Sequence, residues 1–463
     1  MARTRSETNQ TPESQAALKD IVAREGHVVA AEDETEVGNY FVANYPPFSF
    51  WQPDYVSEVE RLLAEPPQKD VPLGVYYHIP FCRKRCHFCY FRVYTDKNAD
   101  EIRHYIETSM KEMAWYAEKA YLAGRKPDFV YFGGGTPSYL SPSQLKELTD
   151  RMKDLMPWDE AREIAFEAEP GTLNEKKLEA IRELGVTRLS LGVENFDDHI
   201  LELNGRAHRS GEVDRAYNYA KEIGFDQINI DLIAGMMDET EENWFRCVEK
   251  AIELDPEMVT IYQMEIPYNT GIYKEMKALG RATAPVANWA TKRRWVSEAF
   301  DRFVEAGYSV SSATTVVKNP DKQKFVYRDE LWNGADLLPL GVASFGHLGG
   351  IHVQNDHNIE TYMAQVEEKG HGMHRAYVTD PEERFVREFI LKLKLGRSDF
   401  GYYREKYGKD PKEQFADQLA AMQRDGFAVL NGDELTVTRD GMMQIDRLLH
   451  EFFLSHHRNA RYA

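Results

Sequence analysis

Between residues 71 and 263 the chain alternates short apolar, β-rich runs with longer stretches whose apolar residues recur at helical spacing. The short runs predict strands at 74–79, 129–132, 163–167, 188–192, 227–233 and 258–263. The 3.6-residue pattern between them predicts helices at 99–120, 142–156, 174–184, 211–223 and 241–254. Strands alternating with helices make βαβ units and a parallel sheet. Six in succession point to a barrel or part of one, in which chemistry collects at the carboxyl ends of the strands.

Past Pro267 the repeat fades. An amphipathic helix is expected at 289–306 and a strand at 307–312, followed by the close-packing turn Leu340-Gly341-Val342-Ala343-Ser344-Phe345-Gly346. Helices at 381–395 and 411–425 precede two β-rich runs joined through Asn431-Gly432, a strong hairpin signal, and then a last helix. That order suggests a winged-helix-like cap over the open end of the barrel. The expected divisions are a polar, mobile tail (1–37), an aromatic segment packing on the barrel (38–70), the core (71–310), an accessory segment closing the active site (311–375), the cap (376–455) and a tail (456–463). The aromatic segment, Tyr40 to Trp51, reads as a core anchor, with a lid as the alternative. The fold class is thus α/β, a partial (β/α)6 barrel with a helical, winged-helix-like C-terminal cap.

The 463 residues carry a net charge of -19, which argues against general affinity for nucleic acid or anionic membrane. The cap lacks a Lys/Arg-rich recognition face, so DNA binding is not expected of it. No apolar run has the length of a membrane span, and no hydrophobic segment follows the first residues. With four cysteines in the chain, a reducing, cytoplasmic setting is expected.

Three of those cysteines, Cys82, Cys86 and Cys89, lie within eight residues directly after the first strand, spaced C-x3-C-x2-C. Soft thiolates on one loop suit a [4Fe–4S] cluster, each holding one iron and leaving the fourth open. A structural zinc site would need a fourth ligand at fitting spacing, and His87 sits where it would be strained in that role. A disulfide framework wants an even cysteine count in a small secreted chain. Cys247, alone on a helix face, reads as a buried small hydrophobe.

Other candidates fall at successive strand ends. Gly133-Gly134-Gly135-Thr136 follows the second strand and lets the backbone approach a ligand closely. Without a following Lys-Ser/Thr it is no phosphate-binding loop. Glu167 ends the third strand and Glu194 the fourth, while Asp231 lies inside an apolar run, where a carboxylate needs a partner. Helix capping is the competing reading for Glu167 and Glu169, and a buried ion pair for Asp231. Arg206 either pairs with these acids or faces a ligand carboxylate.

Taken in order, Tyr76–Cys82, Gly133–Pro137, Glu167–Pro170, Leu189–Val193, Asn204–Arg206 and Asn229–Gly235 resemble the radical S-adenosylmethionine (SAM) enzymes. Within them they resemble the oxygen-independent coproporphyrinogen III oxidases and their relatives, over about residues 40 to 455. The relatives include a haem chaperone and two-SAM methyltransferases and cyclopropanases. The resemblance implies a cluster on Cys82, Cys86 and Cys89, and SAM contacts from Tyr76, Gly134, Gly135, Thr136, Glu167, Arg206 and Asp231. Phe91, Glu194 and Phe345 match further positions around one or two SAM molecules, with Glu194 also a candidate base. It further implies a small-molecule substrate, an electron donor such as flavodoxin or ferredoxin, and a monomer. The oxidases carry Cys where this chain has Phe91, and Gln where it has Glu194. The haem chaperones share the Phe, but their His-Asn-x-x-Tyr-Trp motif is here His357-Asn358-Ile359-Glu360-Thr361-Tyr362-Met363, with altered spacing and no Trp. A helix-start surface role is therefore expected for His357, and packing roles for His347 and His352.

Overall fold

The computed structural model describes Ala16, Leu18, Lys19 and residues 44–67, 70–280 and 285–458. Six strands carry the core: β1 (Leu73–Ile79), β2 (Phe129–Gly134), β3 (Glu163–Ala168), β4 (Arg188–Glu194), β5 (Gln227–Ala234) and β6 (Met258–Gln263). They pair in sequence order, all parallel. Beyond β6 the sheet continues through the antiparallel β7 (Ser309–Ser312) and β8 (Thr315–Val317). On the other side β9 (Asp336–Leu340) runs parallel to β1, and β10 (Phe345–Leu348), β11 (Ile351–Asn355) and β12 (Met373–Val378) follow as an antiparallel meander. One twelve-stranded sheet results, β12-β11-β10-β9-β1-β2-β3-β4-β5-β6-β8-β7. The accessory segment therefore shares the core's sheet.

Strand alternation explains why the inside of this curved sheet is polar. Val75, Tyr77 and Ile79 of β1, Leu189, Leu191 and Val193 of β4, and Ile228, Ile230 and Leu232 of β5 are all essentially inaccessible, on the helix-covered outer face. The intervening positions, among them Tyr76, Ser190, Asn229 and Asp231, point to the other face. The apolar run around Asp231 thus supplies only one side of its strand.

The helices start where capping chemistry places them. Asn98 with Glu101 caps the helix Ala99–Ala117, and Ser141 with Gln144 caps Pro142–Leu155; each is a reciprocal capping box. The helices expected at 174–184, 211–223 and 241–254 are Glu175–Glu183, Ser210–Ile223 and Glu241–Leu254.

The C-terminal region differs in detail from expectation. Its three-stranded sheet, β13 (Arg397–Asp399), β14 (Ala428–Asn431) and β15 (Glu434–Val437), has the order β13-β15-β14. Asn431 pairs with Glu434, so the two-residue loop is Gly432-Asp433. The helix expected at 411–425 is two, Pro411–Gln414 and Ala416–Arg424, broken at Phe415. The break lets the Phe415 ring bury between Phe385, Phe389 and Phe452, contacts that outweigh one helical hydrogen bond.

The polar tail expected at 1–37 lies outside the described residues apart from Ala16, Leu18 and Lys19. Leu18 is buried against Met237, Ile272 and Met276, which a mobile polar tail does not anticipate. The aromatic segment anchors as expected where it is described. Tyr45 packs on Phe453, Phe48 stacks on Phe345, Trp51 stacks on His352, and Gln52 bridges to Ala376 at the sheet edge. His347 and His352 are buried and bonded ring to ring at 3.1 Å. Cys247 is buried with its thiol 3.1 Å from Asn195 Oδ1. Among the described residues no helix is long and apolar enough to cross a membrane.

One buried carboxylate ties β9 and the following turn to the helix layer. Glu112 accepts from Gly341 N (2.9 Å), Gly372 N (2.9 Å), Asn355 Nδ2 (2.8 Å) and Tyr362 Oη (2.7 Å). Glu112→Ala leaves these donors without their acceptor and should cost about 3 kcal/mol. Urea unfolding would show a midpoint shift of that size, whereas a surface-like effect below about 0.5 kcal/mol would contradict it.

Candidate active site

The cysteine loop leaves β1 and is pinned by four separate parts of the chain. Cys82 N donates to Tyr94 O (3.0 Å), His87 N to Asn204 O (3.0 Å), Ile272 N to His87 O (3.1 Å) and Thr136 N to Phe81 O (2.9 Å). The His87 ring lies against Gly205, where a Cβ would come within 3.0 Å of it. Cys82 is buried with its sulfur 3.2 Å from Thr136 Oγ1; Cys86 and Cys89 are partly exposed. Burial pushes the Cys82 thiol up strongly and Cys89 to about 11, and in each the neighbouring thiols push in the same direction. Cys82 and Cys89 are thereby poor thiolates alone and good ligands once a cationic centre relieves that cost. Their convergence on one loop beside Arg206 fits an iron–sulfur cluster.

Arg206 connects this loop to the strand ends. Its Nη1 donates to Cys86 Sγ at 3.4 Å and lies 3.5 Å from Glu194 Oε1, while Nη2 donates to Gly192 O. Burial works against its charge, but Cys86, Glu194 and Glu169 prevail and raise its pKa. Glu169 itself pairs with Arg83 (3.1 Å) and His208 (3.1 Å). Burial opposes its ionisation, yet His208, Arg206 and Arg83 hold it at about 2. Its carboxylate also accepts from Gly171 N, so the capping reading holds for Glu169. Glu167 instead accepts from Tyr131 Oη (2.6 Å) and Gly134 N (3.1 Å).

Glu194 sits on a register irregularity between β4 and β5 and has φ 66°. A bulge with a left-handed non-glycine residue re-aims a side chain at a local cost, a feature concentrated at functional sites. Burial pushes both Glu194 and Glu167 to about 7, against the pull of Arg206 on the first and of Tyr131 on the second. Asp231 is also raised by burial, and accepts from Ser190 Oγ (3.0 Å) and Asn229 Nδ2 (2.8 Å) rather than forming the buried ion pair considered from sequence.

The glycine run turns out to be needed by the protein's own packing. A Cβ on Gly133 would meet the Tyr131 ring at 2.8 Å, one on Gly134 the His78 ring at 2.6 Å, and one on Gly135 the Pro80 carbonyl carbon at 2.9 Å. Gly134 also has φ 114°. The glycines thus bring the end of β2 against the cysteine loop, with their backbone beside Thr136 and Glu167. Tyr76 stacks on Tyr131 at 5.9 Å and contacts His78 Nδ1 at 3.1 Å through its hydroxyl.

Two candidates lie farther out. Phe91 is 38% exposed against Tyr90, and Phe345 is stacked on Phe48 with Trp51 edge-on. Motif reading missed Tyr131, Ser190, Asn229 and His208; counting back two positions from Gly133, Gly192 and Asp231 would have found the first three. His357 is exposed at a helix start beside Asp356 and His374.

Residues 76–251 match the family model of the radical SAM superfamily. The chain is 28% identical over 374 residues to the heme chaperone HemW of Bacillus subtilis (strain 168), covering 80% of this chain and 96% of that protein. It is 25% identical over 388 residues to an oxygen-independent coproporphyrinogen III oxidase of Escherichia coli (strain K12), covering 81% and 84%. Its fold matches the solved coproporphyrinogen III oxidase (HemN) from Escherichia coli, a radical SAM enzyme, with TM-score 0.78 and 24% identity over 89% of this chain and 96% of that one. The mixed α/β fold with its large parallel sheet and helical C-terminal region is therefore as expected, and the superfamily implies a [4Fe–4S] cluster and SAM.

The raised carboxyls give a pH test. Glu167 in the folded state keeps a proton that the unfolded chain releases near 4.5. Its contribution to stability therefore falls as pH rises from about 4.5 through about 7. In cluster-free protein, wild-type stability relative to Glu167→Gln should drop by about 1–3 kcal/mol between pH 5 and pH 8. A difference independent of pH in paired denaturation curves would contradict this.

Proposed function

We propose that this chain, which carries a radical SAM domain, holds a [4Fe–4S] cluster on Cys82, Cys86 and Cys89, binds SAM at the carboxyl ends of β1 to β5, and abstracts hydrogen from a tetrapyrrole carbon. The reaction proposed is coproporphyrinogen III oxidase-like oxidative decarboxylation, in which a propionate gives up one hydrogen atom, CO2 and one electron, the last to a one-electron acceptor, and becomes a vinyl group. The observation that carries the chemistry is Arg206, which touches a cluster thiol and a strand-end carboxylate with one guanidinium. Cys82, Cys86 and Cys89 would hold the cluster, which with SAM bound would supply one-electron chemistry capable of abstracting hydrogen.

The protein's part is placement and electrostatics. Glu167, Glu194 and Asp231 present acceptors to an ammonium and a ribose, with Arg206 available to a carboxylate. Tyr131 and Gly134 hold Glu167, and Ser190 and Asn229 hold Asp231, so these acceptors are oriented before any ligand arrives. At the same end, Phe91, Tyr262 and Tyr268 expose ring surface, and the Arg375 guanidinium lies 5.5 Å from the Phe48 ring centre. Flat apolar surface with a cation suits a macrocycle bearing carboxylates, which supports the tetrapyrrole reading.

A second reading, haem carriage without turnover, rests on the similarity to HemW and on the exposed rings of His357 and His374. One anaerobic assay separates the readings. Cluster-loaded protein with SAM, dithionite and coproporphyrinogen III should release 5′-deoxyadenosine and a vinyl product, and Cys82/Cys86/Cys89→Ala should release neither. Arg206→Lys loses the planar fork and should retain iron but lower turnover by about 100-fold. Tight stoichiometric haem binding with no 5′-deoxyadenosine would overturn the enzyme reading. S-adenosylhomocysteine as product would replace decarboxylation with methyl transfer from a second SAM.

A further inference from the structure

Outside the strand-end site, one group of donors has the geometry of a metal site. The carboxylate of Glu383 and one ring nitrogen each from His456 and His457 lie within 4.8 Å of one another. Both histidines fall in the segment expected from sequence to be a tail, 456–463. His457 is instead fully buried, with the Phe50 ring edge-on at 4.8 Å, and His456 stays exposed beside it.

The buried members are already oriented. His457 Nδ1 is 2.8 Å from the Tyr45 hydroxyl, which itself accepts from Leu454 N. That contact fixes the ring and directs Nε2 toward Glu383. Nε2 is buried and has no hydrogen-bond partner among the described residues; Glu383 Oε1 is 3.5 Å away, too far for an N–H···O bond. Glu383 belongs to the capping box at the start of the helix Pro381–Leu393, and accepts from Tyr377 Oη at 2.6 Å and Asp380 N at 2.8 Å. Such outer contacts on both a histidine and a carboxylate are what metal ligands carry.

We infer that Glu383, His456 and His457 bind a divalent transition metal, with Zn2+ favoured by the two-imidazole, one-carboxylate set. Three protein ligands leave a fourth tetrahedral position for water, reached from the exposed His456 side. The metal would clip the segment after Phe453 to the first turn of the helix Pro381–Leu393.

The test uses the full-length protein in two forms, cluster-loaded and Cys82/Cys86/Cys89/Cys247→Ala, so that thiols cannot supply the ligands. Both forms, titrated with Zn2+ against a chromophoric chelator, should bind one equivalent. His456→Ala and Glu383→Gln should each weaken it at least about 10-fold. Because His456 is exposed, its variant should fold even if a His457 variant does not. Co2+ in the thiol-free form should give a visible d–d spectrum without thiolate charge transfer, and Zn2+ should raise the Tm of wild type but not of His456→Ala. No stoichiometric Zn2+ in the thiol-free form, or binding unchanged by His456→Ala, would overturn the site and leave a plain His–Glu contact.

Discussion

A guanidinium taken out of water must find partners, and the choice of partners for Arg206 sets the plan of the site. Cys86, Glu194 and the Gly192 carbonyl surround it on one side, and Glu169 lies within its electrostatic reach. Their combined field holds the buried charge where no single partner would suffice. Cysteine loop, fourth strand and the loop carrying Arg206 are thereby locked to each other. Glu169, with Arg83 and His208, forms the supporting layer beneath.

The sheet makes this affordable by keeping two different faces. Apolar side chains of β1 to β6 pack outward under helices, and the alternate positions give the inner face tyrosine, hydroxyl, amide and carboxylate groups. Those groups satisfy one another in short chains, such as Thr260–Asn229–Ser190–Asp231. A polar interior of this kind is stable only when nearly every member is paired. Gly134 at the end of β2 and Gly135 after it complete it by letting the His78 ring and the Pro80 backbone close on that turn.

Much of this was legible in the chain itself. The helix Glu241–Leu254 and the strand Met258–Gln263 stand at their expected boundaries because capping and period agree there. Cys82, Cys86, Cys89, Glu167, Glu194 and Arg206 could be picked out by motif order. The strained backbone at Glu194 could not, since it arises from a register shift against β5. β9 to β12 were missed because runs of four to six residues become strands only through pairing with distant partners. Phe415 breaks its helix for a tertiary contact, and His457 is packed against Tyr45 and Phe50, more than four hundred residues earlier.

The central claim is that three thiolates hold a four-iron cluster and leave one iron open beside the strand-end acceptors. Mössbauer spectroscopy of 57Fe-reconstituted protein tests it most directly. The account predicts four irons per chain, with a single site whose parameters shift when SAM is added while the other three stay put. Four equivalent irons unmoved by SAM, or a thiol site that takes zinc in place of iron, would contradict it.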